Sequence, residues 1–187
     1  MIDFNKEIIS DKVLLRLLRT EDFGEMRHLT SDASMWYYFP SDLSDDEVLR
    51  EWIKDAVQDH QQKRALPFTI IDRSNGKIIG STRLANLSER DLRLEIGWTW
   101  IAKGYQGTGI NGHVKELLFK YLFEETKVER VELKTDVLHV AAQKAMEKTG
   151  LVREGVLRSH TLMTNNRRRD TIYYSILRSE WEKSTSI

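Results

Sequence analysis

The segment that most restricts the fold is DLRLEIGWTWIAKGYQGTGINGHVKELLFKYLFEE, residues 91–125. In its first third Leu94, Ile96, Trp98 and Trp100 alternate with Glu95, Gly97 and Thr99, which is the period of a strand. That alternation predicts the four apolar side chains on one face and Glu95 and Thr99 on the other. A run broken by Gly104, Gly107, Gly109 and Gly112 follows. Val114, Leu117, Leu118, Tyr121 and Leu122 then recur at helical spacing. The next segment, VERVELKTD (128–136), reads as a second strand. Two strands joined through a crossover helix lie parallel in one sheet, so the segment predicts one parallel β-loop-α-β unit.

The remaining segments read mainly as antiparallel. KVLLRLLR (12–19) reads as an opening strand, followed by a helical TEDFGEMRHLT (20–30) with Thr20 as its candidate cap. SDDEVLREWIKDAVQDHQQ (44–62) is a stronger helix, with Ser44 and Glu47 as a capping box and Val48, Trp52, Ile53 and Val57 as its apolar stripe. LPFTIID and KIIGSTRLANL flank RSNG, a hairpin signal. VAAQKAMEKTG reads as a short helix ended by Gly150. LVREGVLRSHTLM and RRRDTIYYSILRSEW read as a closing hairpin around TNN. The fold expected is α/β (α+β): a mixed, mostly antiparallel central sheet with helices on both faces and one parallel crossover. With 187 residues, two prolines and no linker, a single domain over 1–187 is expected.

Composition excludes several chemistries. There is no cysteine, hence no disulfide, thiolate metal site or cysteine nucleophile. His28, His60, His113 and His160 show no metal-ligand spacing, so no metal is expected. Lys plus Arg and Asp plus Glu both number 29, which gives no overall attraction to nucleic acid or acidic membrane. Neither a signal pattern nor an apolar run of membrane length is present, and a soluble cytoplasmic protein is expected. The run Arg167, Arg168, Arg169 reads as a solvated hairpin tip, with an RNA-binding patch the weaker alternative.

The glycine loop admits two readings. It has the spacing G-x-x-G-x-G, which is neither the P-loop nor the dinucleotide fingerprint. A strand entering a glycine loop and then a helix is nevertheless suited to an anion. Glycine lets the backbone approach closely, and the first amides of the helix lack partners within it. The helix dipole adds positive potential there. A plain turn and a pyrophosphate cradle both remain open on the loop alone.

The surrounding motifs add a resemblance. Gln106-Gly107-Thr108-Gly109-Ile110-Asn111 follows the loop Q/R-x-x-G-x-G/A except at Asn111. Glu95-Ile96-Gly97-Trp98 precedes it, and RVELKTD, TGLVREGVLR and RRDTIYYSILRSEW follow. Together they resemble the GNAT family of acyl-CoA N-acyltransferases, in the branch containing the ribosomal-protein-alanine acetyltransferases, over nearly the whole chain. The resemblance implies acetyl-CoA as cosubstrate, with the pyrophosphate on the amides of Gln106, Gly107, Thr108, Gly109, Ile110 and Asn111. It implies pantetheine along Trp98, Thr99, Trp100 and Ile101, with an amide there stabilising charge on the thioester oxygen. It also implies direct attack by a primary amine, on a small molecule or a protein N-terminus.

Glu95 is the first candidate base, against a structural carboxylate paired with Arg93 or Arg83. The branch usually carries N-x-x-S at the later helix, where this chain has His139 and Ala142, and a tyrosine acid where it has Met146. His139 is thus a candidate proton donor to the leaving thiolate, against a capping or surface role. Trp36, Tyr37 and Tyr38 are candidate acceptor walls, against an anchor for their loop. The departures at Asn111, His139, Ala142 and Met146 keep a second class open, a CoA-binding sensor or interaction module with little transferase activity. A homodimer is also left open.

Overall fold

The computed structural model describes residues 2–185. Its elements are β1 (Ile8–Ile9), β2 (Val13–Leu17), α1 (Phe23–Thr30), α2 (Asp46–Gln61), β3 (Leu66–Asp72), β4 (Ile78–Ser88), β5 (Arg93–Ile101), α3 (Ile110–Glu125), β6 (Arg130–Asp136), α4 (Val140–Lys148), β7 (Val152–Leu162), β8 (Arg168–Leu177) and α5 (Arg178–Thr185). The strands form one sheet in the order β1-β2-β3-β4-β5-β6-β8-β7. Every neighbouring pair is antiparallel except β5 and β6, which α3 joins as a parallel crossover. Among the described residues no helix is long and apolar enough to cross a membrane.

Alternation along the strands divides the core in two. On one face Phe68, Ile70, Leu84, Leu94, Ile96, Val131 and Leu133 pack beneath Val114, Leu118, Phe119 and Leu122 of α3. On the other, Met26 of α1 and Leu49, Trp52, Ile53 and Ala56 of α2 cover Ile78 and Trp100. Helices α1 and α2 cover this second face over β3 and β4, and Arg169, Thr171 and Ser175 of β8, which alternate with the residues of the α3-side core, are buried as well.

Local chemistry moves several expected boundaries. Asp45, not Ser44, caps α2: its carboxylate accepts the amides of Glu47 at 2.8 Å and Val48 at 3.1 Å. Ser44 instead donates to Asp42. The α2 stripe accordingly begins at Leu49, and Val48 points to solvent. Thr20 opens a 3₁₀ turn rather than capping α1, and the Asp22 carboxylate takes the Arg19 amide at 3.0 Å. The closing strand ends at Leu177, and the chain coils into α5. Trp181 of α5 packs on Phe119 and Phe123, which buries a flank of α3 beyond the expected stripe.

The largest departure is in β5. Trp98 has a φ of +51°, and the ladder to β4 slips there, with Arg83 opposite Gly97 but Ser81 opposite Trp100. This β-bulge swaps the faces. Leu94 and Ile96 face α3, whereas Trp98 and Trp100 lie with the α1–α2 core and Ile101 returns to the α3 side. The single four-residue stripe expected from the sequence is therefore two stripes on opposite faces. A second bulge in β4, at Asn86 with φ +53°, sits across from the stretch Arg93 to Glu95. Beyond Glu95, β5 leaves β6: the two strands pair only over residues 93–95 against 130–132. The result is a wedge-shaped gap between the ends of two parallel strands.

Candidate active site at the wedge between two parallel strands

The glycine loop closes one side of the wedge. Gly107 and Gly109 take φ of +75° and +86°, a region costly for any residue with a Cβ, and Gly109 is the residue from which α3 starts. The Gln106 side chain donates to the Ile101 carbonyl at 3.0 Å and Thr108 Oγ1 to the Tyr105 carbonyl at 2.7 Å, which pins the loop. The first helical bond runs from the His113 amide to the Gly109 carbonyl. Among the described residues the amides of residues 107–112 donate to no protein acceptor. A run of free amides at the positive end of a 16-residue helix is suited to holding an anion. It uses backbone rather than side-chain charge, since Lys103 is tied to Asp32 at 2.6 Å. Among the described residues the Oδ1 of Asn111 is buried without a hydrogen-bond partner.

The opposite face of the wedge carries Glu95, the last paired residue of β5. Its Oε2 accepts from Asn86 Nδ2 and from Lys134 Nζ, both at 2.8 Å. The bulge at Asn86 directs that amide onto the carboxylate. Neither Arg93 nor Arg83 is the partner. Arg93 lies 3.6 Å from Glu132, and Arg83 is held between the rings of Trp52 and Trp98, 3.6 Å from Asp59. Among the described residues Oε1 of Glu95 has no hydrogen-bond partner, and it lies over Gly97, 2.9 Å from where a Cβ would stand.

His139 precedes α4, beyond the end of β6. Its side chain does not cap the helix. It lies 3.4 Å from Thr135 Oγ1 and stacks on Tyr38 at a centroid separation of 4.3 Å. Burial is the main influence on its proton affinity and lowers it; nearby Lys115 adds to the effect and Asp136 opposes it. Tyr37 packs edge-on against Tyr38 and lies under the Arg167 guanidinium. Trp36 is 3% exposed, donates its indole N–H to the Thr30 carbonyl and packs against Trp100, so it supports the lip from within the core. The structure brings His139 to Tyr38; it does not bring it to Glu95.

Four residues join the site that sequence reasoning passed over. Lys134 pairs with Glu95. Arg167 pairs with Asp136, which is fully buried at the end of β6. Arg169 is buried on the same side. The arginine run is therefore not a solvated tip: only Arg168 turns away, to Ser159. Alternation could have shown this, since 167 and 169 share a face in an extended chain. Lys115 lies on the buried arc of α3, is 5% exposed and, among the described residues, has neither a hydrogen bond nor an ion pair. Burial lowers its pKa to about 8. Among the described residues no group of three or more His, Cys, Asp or Glu side chains could hold a metal ion.

A family model described as Acetyltransferase (GNAT) domain matches residues 12–152. YdaF of Bacillus subtilis (strain 168), provisionally assigned as a ribosomal N-acetyltransferase, is 28% identical over 179 residues, covering 93% of this chain and 96% of its own. YoaA of the same organism, an uncharacterized N-acetyltransferase, is 25% identical over 173 residues, with 90% and 95% coverage. Among solved structures, an acetyltransferase-like protein of T. thermophilus superposes with a TM-score of 0.86 at 24% identity, over 100% of this chain and 96% of that one. The ribosomal-protein-S5-alanine acetyltransferase of Vibrio fischeri gives 0.77 at 18% identity, over 94% and 98%. These two likenesses speak for the fold, and the family match for descent: the chain belongs to the GNAT acetyltransferase family.

Proposed function

We propose that this protein transfers an acetyl group from acetyl-CoA to a primary amine. The observation that carries the reading is the run of free amides at residues 107–112, set at the mouth of a wedge whose other face bears Glu95. A pyrophosphate suits that cradle, and the edge of β5 from Ile96 to Ile101, released from β6, suits an extended pantetheine arm. Acetyl-CoA, when bound, supplies an activated acyl group as a thioester. The amine enters from the sheet face opposite α3. Its nitrogen bonds to the acyl carbon as the carbon–sulfur bond breaks and the electron pair passes to sulfur. The nitrogen loses its proton to Oε1 of Glu95, directly or through water. A free amide of the β5 edge stabilises charge on the acyl oxygen. His139, kept uncharged by burial, is suited to accepting a proton rather than donating one, so the leaving sulfur takes its proton from water.

Saturating acetyl-CoA should raise the melting temperature of the wild type by several degrees, and the change Gly109→Val should remove that shift. No shift in the wild type sinks the reading. Thiol release is then followed across small amines and peptide N-termini, since names among the relatives mention ribosomal proteins. Glu95→Gln should slow transfer at least tenfold and leave the acetyl-CoA shift intact.

A second reading, a CoA-binding sensor with little transfer, draws on Asn111. Its Oδ1 is buried without a partner among the described residues, within the segment assigned to the pyrophosphate. Ligand binding without thiol release from any amine would favour it.

A further inference from the structure

Two polar side chains of α3 face the sheet without partners. Val114, Lys115, Leu118 and Leu122 lie on the buried arc of the helix. Asn111 precedes Val114 by three residues, Lys115 by four and Leu118 by seven, which puts it on the same face. Its Oδ1 is buried with no hydrogen-bond partner among the described residues. Lys115 is 5% exposed and has no hydrogen bond or ion pair among them. Its Nζ is nevertheless not sealed off: the stem is buried and the ammonium keeps contact with solvent. The two groups are one turn apart, yet Oδ1 accepts nothing from the lysine. Burial makes both costly to leave unpaired, and it lowers the Lys115 pKa to about 8.

The sheet fixes what they face. α3 runs back along β5 toward the start of β6, and its C-terminal end is tied down by Arg178, which donates to the carbonyls of Phe123, Thr126 and Val128. Arg178 follows Leu177, which pairs with Arg130, which in turn lies opposite Arg93. Glu125 therefore ends the helix near the level of Arg93. Counting back at about 1.5 Å per helical residue against about 3.3 Å per strand residue puts Lys115 near the level of Gly97 and Trp98, and Asn111 near Thr99. β5 pairs with β6 only as far as Glu95, so both residues lie under the stretch where the strands have parted. Helical side chains lean toward the helix N-terminus, which carries the lysine further along the gap and accounts for the solvent contact of its ammonium.

We infer that Asn111 and Lys115 grip an amide of the pantetheine arm from the α3 side, with Oδ1 accepting its N–H and Nζ donating to its carbonyl. This rests on the transfer reading above, which lays that arm along the parted edge of β5. An amide offers a donor and an acceptor in one group, which is the pair these two side chains lack. The free backbone amides of residues 107–112 are left to the pyrophosphate, so the backbone and the side chain of Asn111 serve different parts of one ligand. Asn111 then becomes a contact rather than an obstruction, and Lys115 a stability cost retained for binding.

Calorimetry compares acetyl-CoA with ADP, which carries the pyrophosphate without the arm, and with phosphopantetheine, which carries the arm without the nucleotide. Lys115→Met should weaken acetyl-CoA and phosphopantetheine about tenfold or more in Kd, and ADP by less than about twofold. Asn111→Ala should weaken the same two several-fold. Initial rates should show a raised KM for acetyl-CoA with kcat at saturation less affected. Lys115→Met removes a buried charge and keeps the aliphatic stem, so weaker binding by a fold of equal or greater stability is not a folding defect. Equal losses for ADP would assign the lysine to the pyrophosphate. Tighter acetyl-CoA binding by Asn111→Ala would make that side chain an obstruction. Either result overturns the inference. If the wild type binds no acetyl-CoA, the transfer reading falls as well. If it binds and transfers while both variants match it, the amide contact alone falls.

Discussion

Tyr38 lies flat on His139, with ring centroids 4.3 Å apart and planes 11° from parallel. The contact joins a loop from the first quarter of the chain to the start of α4, and it contributes to the burial that keeps His139 uncharged. In the folded chain His139 holds its proton less tightly than at the ordinary value of 6.5. Below that value the unfolded chain binds a proton that the folded chain does not, so stability falls as the pH drops through the ordinary value. Tyr38→Ala should expose the imidazole and return its pKa toward the ordinary value. It should also flatten that part of the stability profile and raise the KM of the acceptor. An NMR titration of the imidazole protons checks it; an unchanged midpoint in the variant would show that Tyr38 is not what shields the ring.

Lys115 should be a cost to the fold. Its pKa is about 8 in the folded chain against 10.5 ordinarily. Between those values the unfolded chain holds a proton the folded chain has lost, so stability rises with pH across that window and the penalty is fully present below it. Lys115→Met should stabilise the protein at neutral pH by up to about 2–3 kcal/mol and remove the alkaline rise. Urea melts at neutral and alkaline pH measure both. Lys115 lies in the second turn of α3, close after the loop assigned to the pyrophosphate, so a parallel loss of acetyl-CoA affinity would give the lysine a ligand to serve. A destabilised variant with no change in affinity would mean that the ammonium finds a partner in solution.

Much of this arrangement was legible in the sequence because period and punctuation carry it. The segment 91–125 announces strand, loop and helix, and the parallel crossover follows from it. What was not legible depended on one backbone angle. Trp98 at positive φ is disfavoured for a bulky residue, so period-two reasoning runs straight through it and assigns Trp98 and Trp100 to the wrong face. The partners of Glu95 were hidden for a related reason, because Asn86 reaches it only through a second bulge and Lys134 only through a strand 39 residues away. Lys115 was open to detection. It lies three residues before Leu118 and four before Phe119, on the arc the apolar residues define, but a lysine there reads by default as surface.

Gly97 is required by Glu95 rather than by its own dihedrals. A Cβ at position 97 would stand 2.9 Å from Oε1 of Glu95. The carboxylate would have to shift, and with it the 2.8 Å contacts to Asn86 and Lys134. Gly97→Ala should destabilise by about 1–3 kcal/mol, the range for a disturbed buried charge-assisted bond, and lower transfer about as much as Glu95→Gln does. The double change Gly97→Ala with Glu95→Gln should then cost little beyond Glu95→Gln in activity, because both act through one carboxylate. Additive losses in kcat would separate the two residues and remove this account.

Arg83 sets two opposed terms against each other at the back of the wedge. Among the described residues its Nε and Nη2 are buried without acceptors, and Asp59, the carboxylate it pairs with at 3.6 Å, is already held by Arg64 at 2.7 Å. Against that cost of about 1–3 kcal/mol stand ring contacts to Trp52 at 5.2 Å and Trp98 at 4.9 Å, each worth about 0.5–2 kcal/mol. The terms nearly cancel, so Arg83→Met, which keeps the aliphatic packing, should leave stability within about 1 kcal/mol of the wild type. Catalysis should respond more than stability does. Trp98 sits in a strained conformation and depends on its neighbours to stay there, and the strand edge it shapes is the one assigned to the pantetheine arm. The KM for acetyl-CoA should therefore rise several-fold in Arg83→Met, with kcat at saturation less affected. Denaturant melts and initial rates over an acetyl-CoA series decide it. A stability loss well beyond the predicted range would show that the Asp59 pairing outweighs the unsatisfied nitrogens. An unchanged KM would show that Trp98 holds its bulge without the arginine.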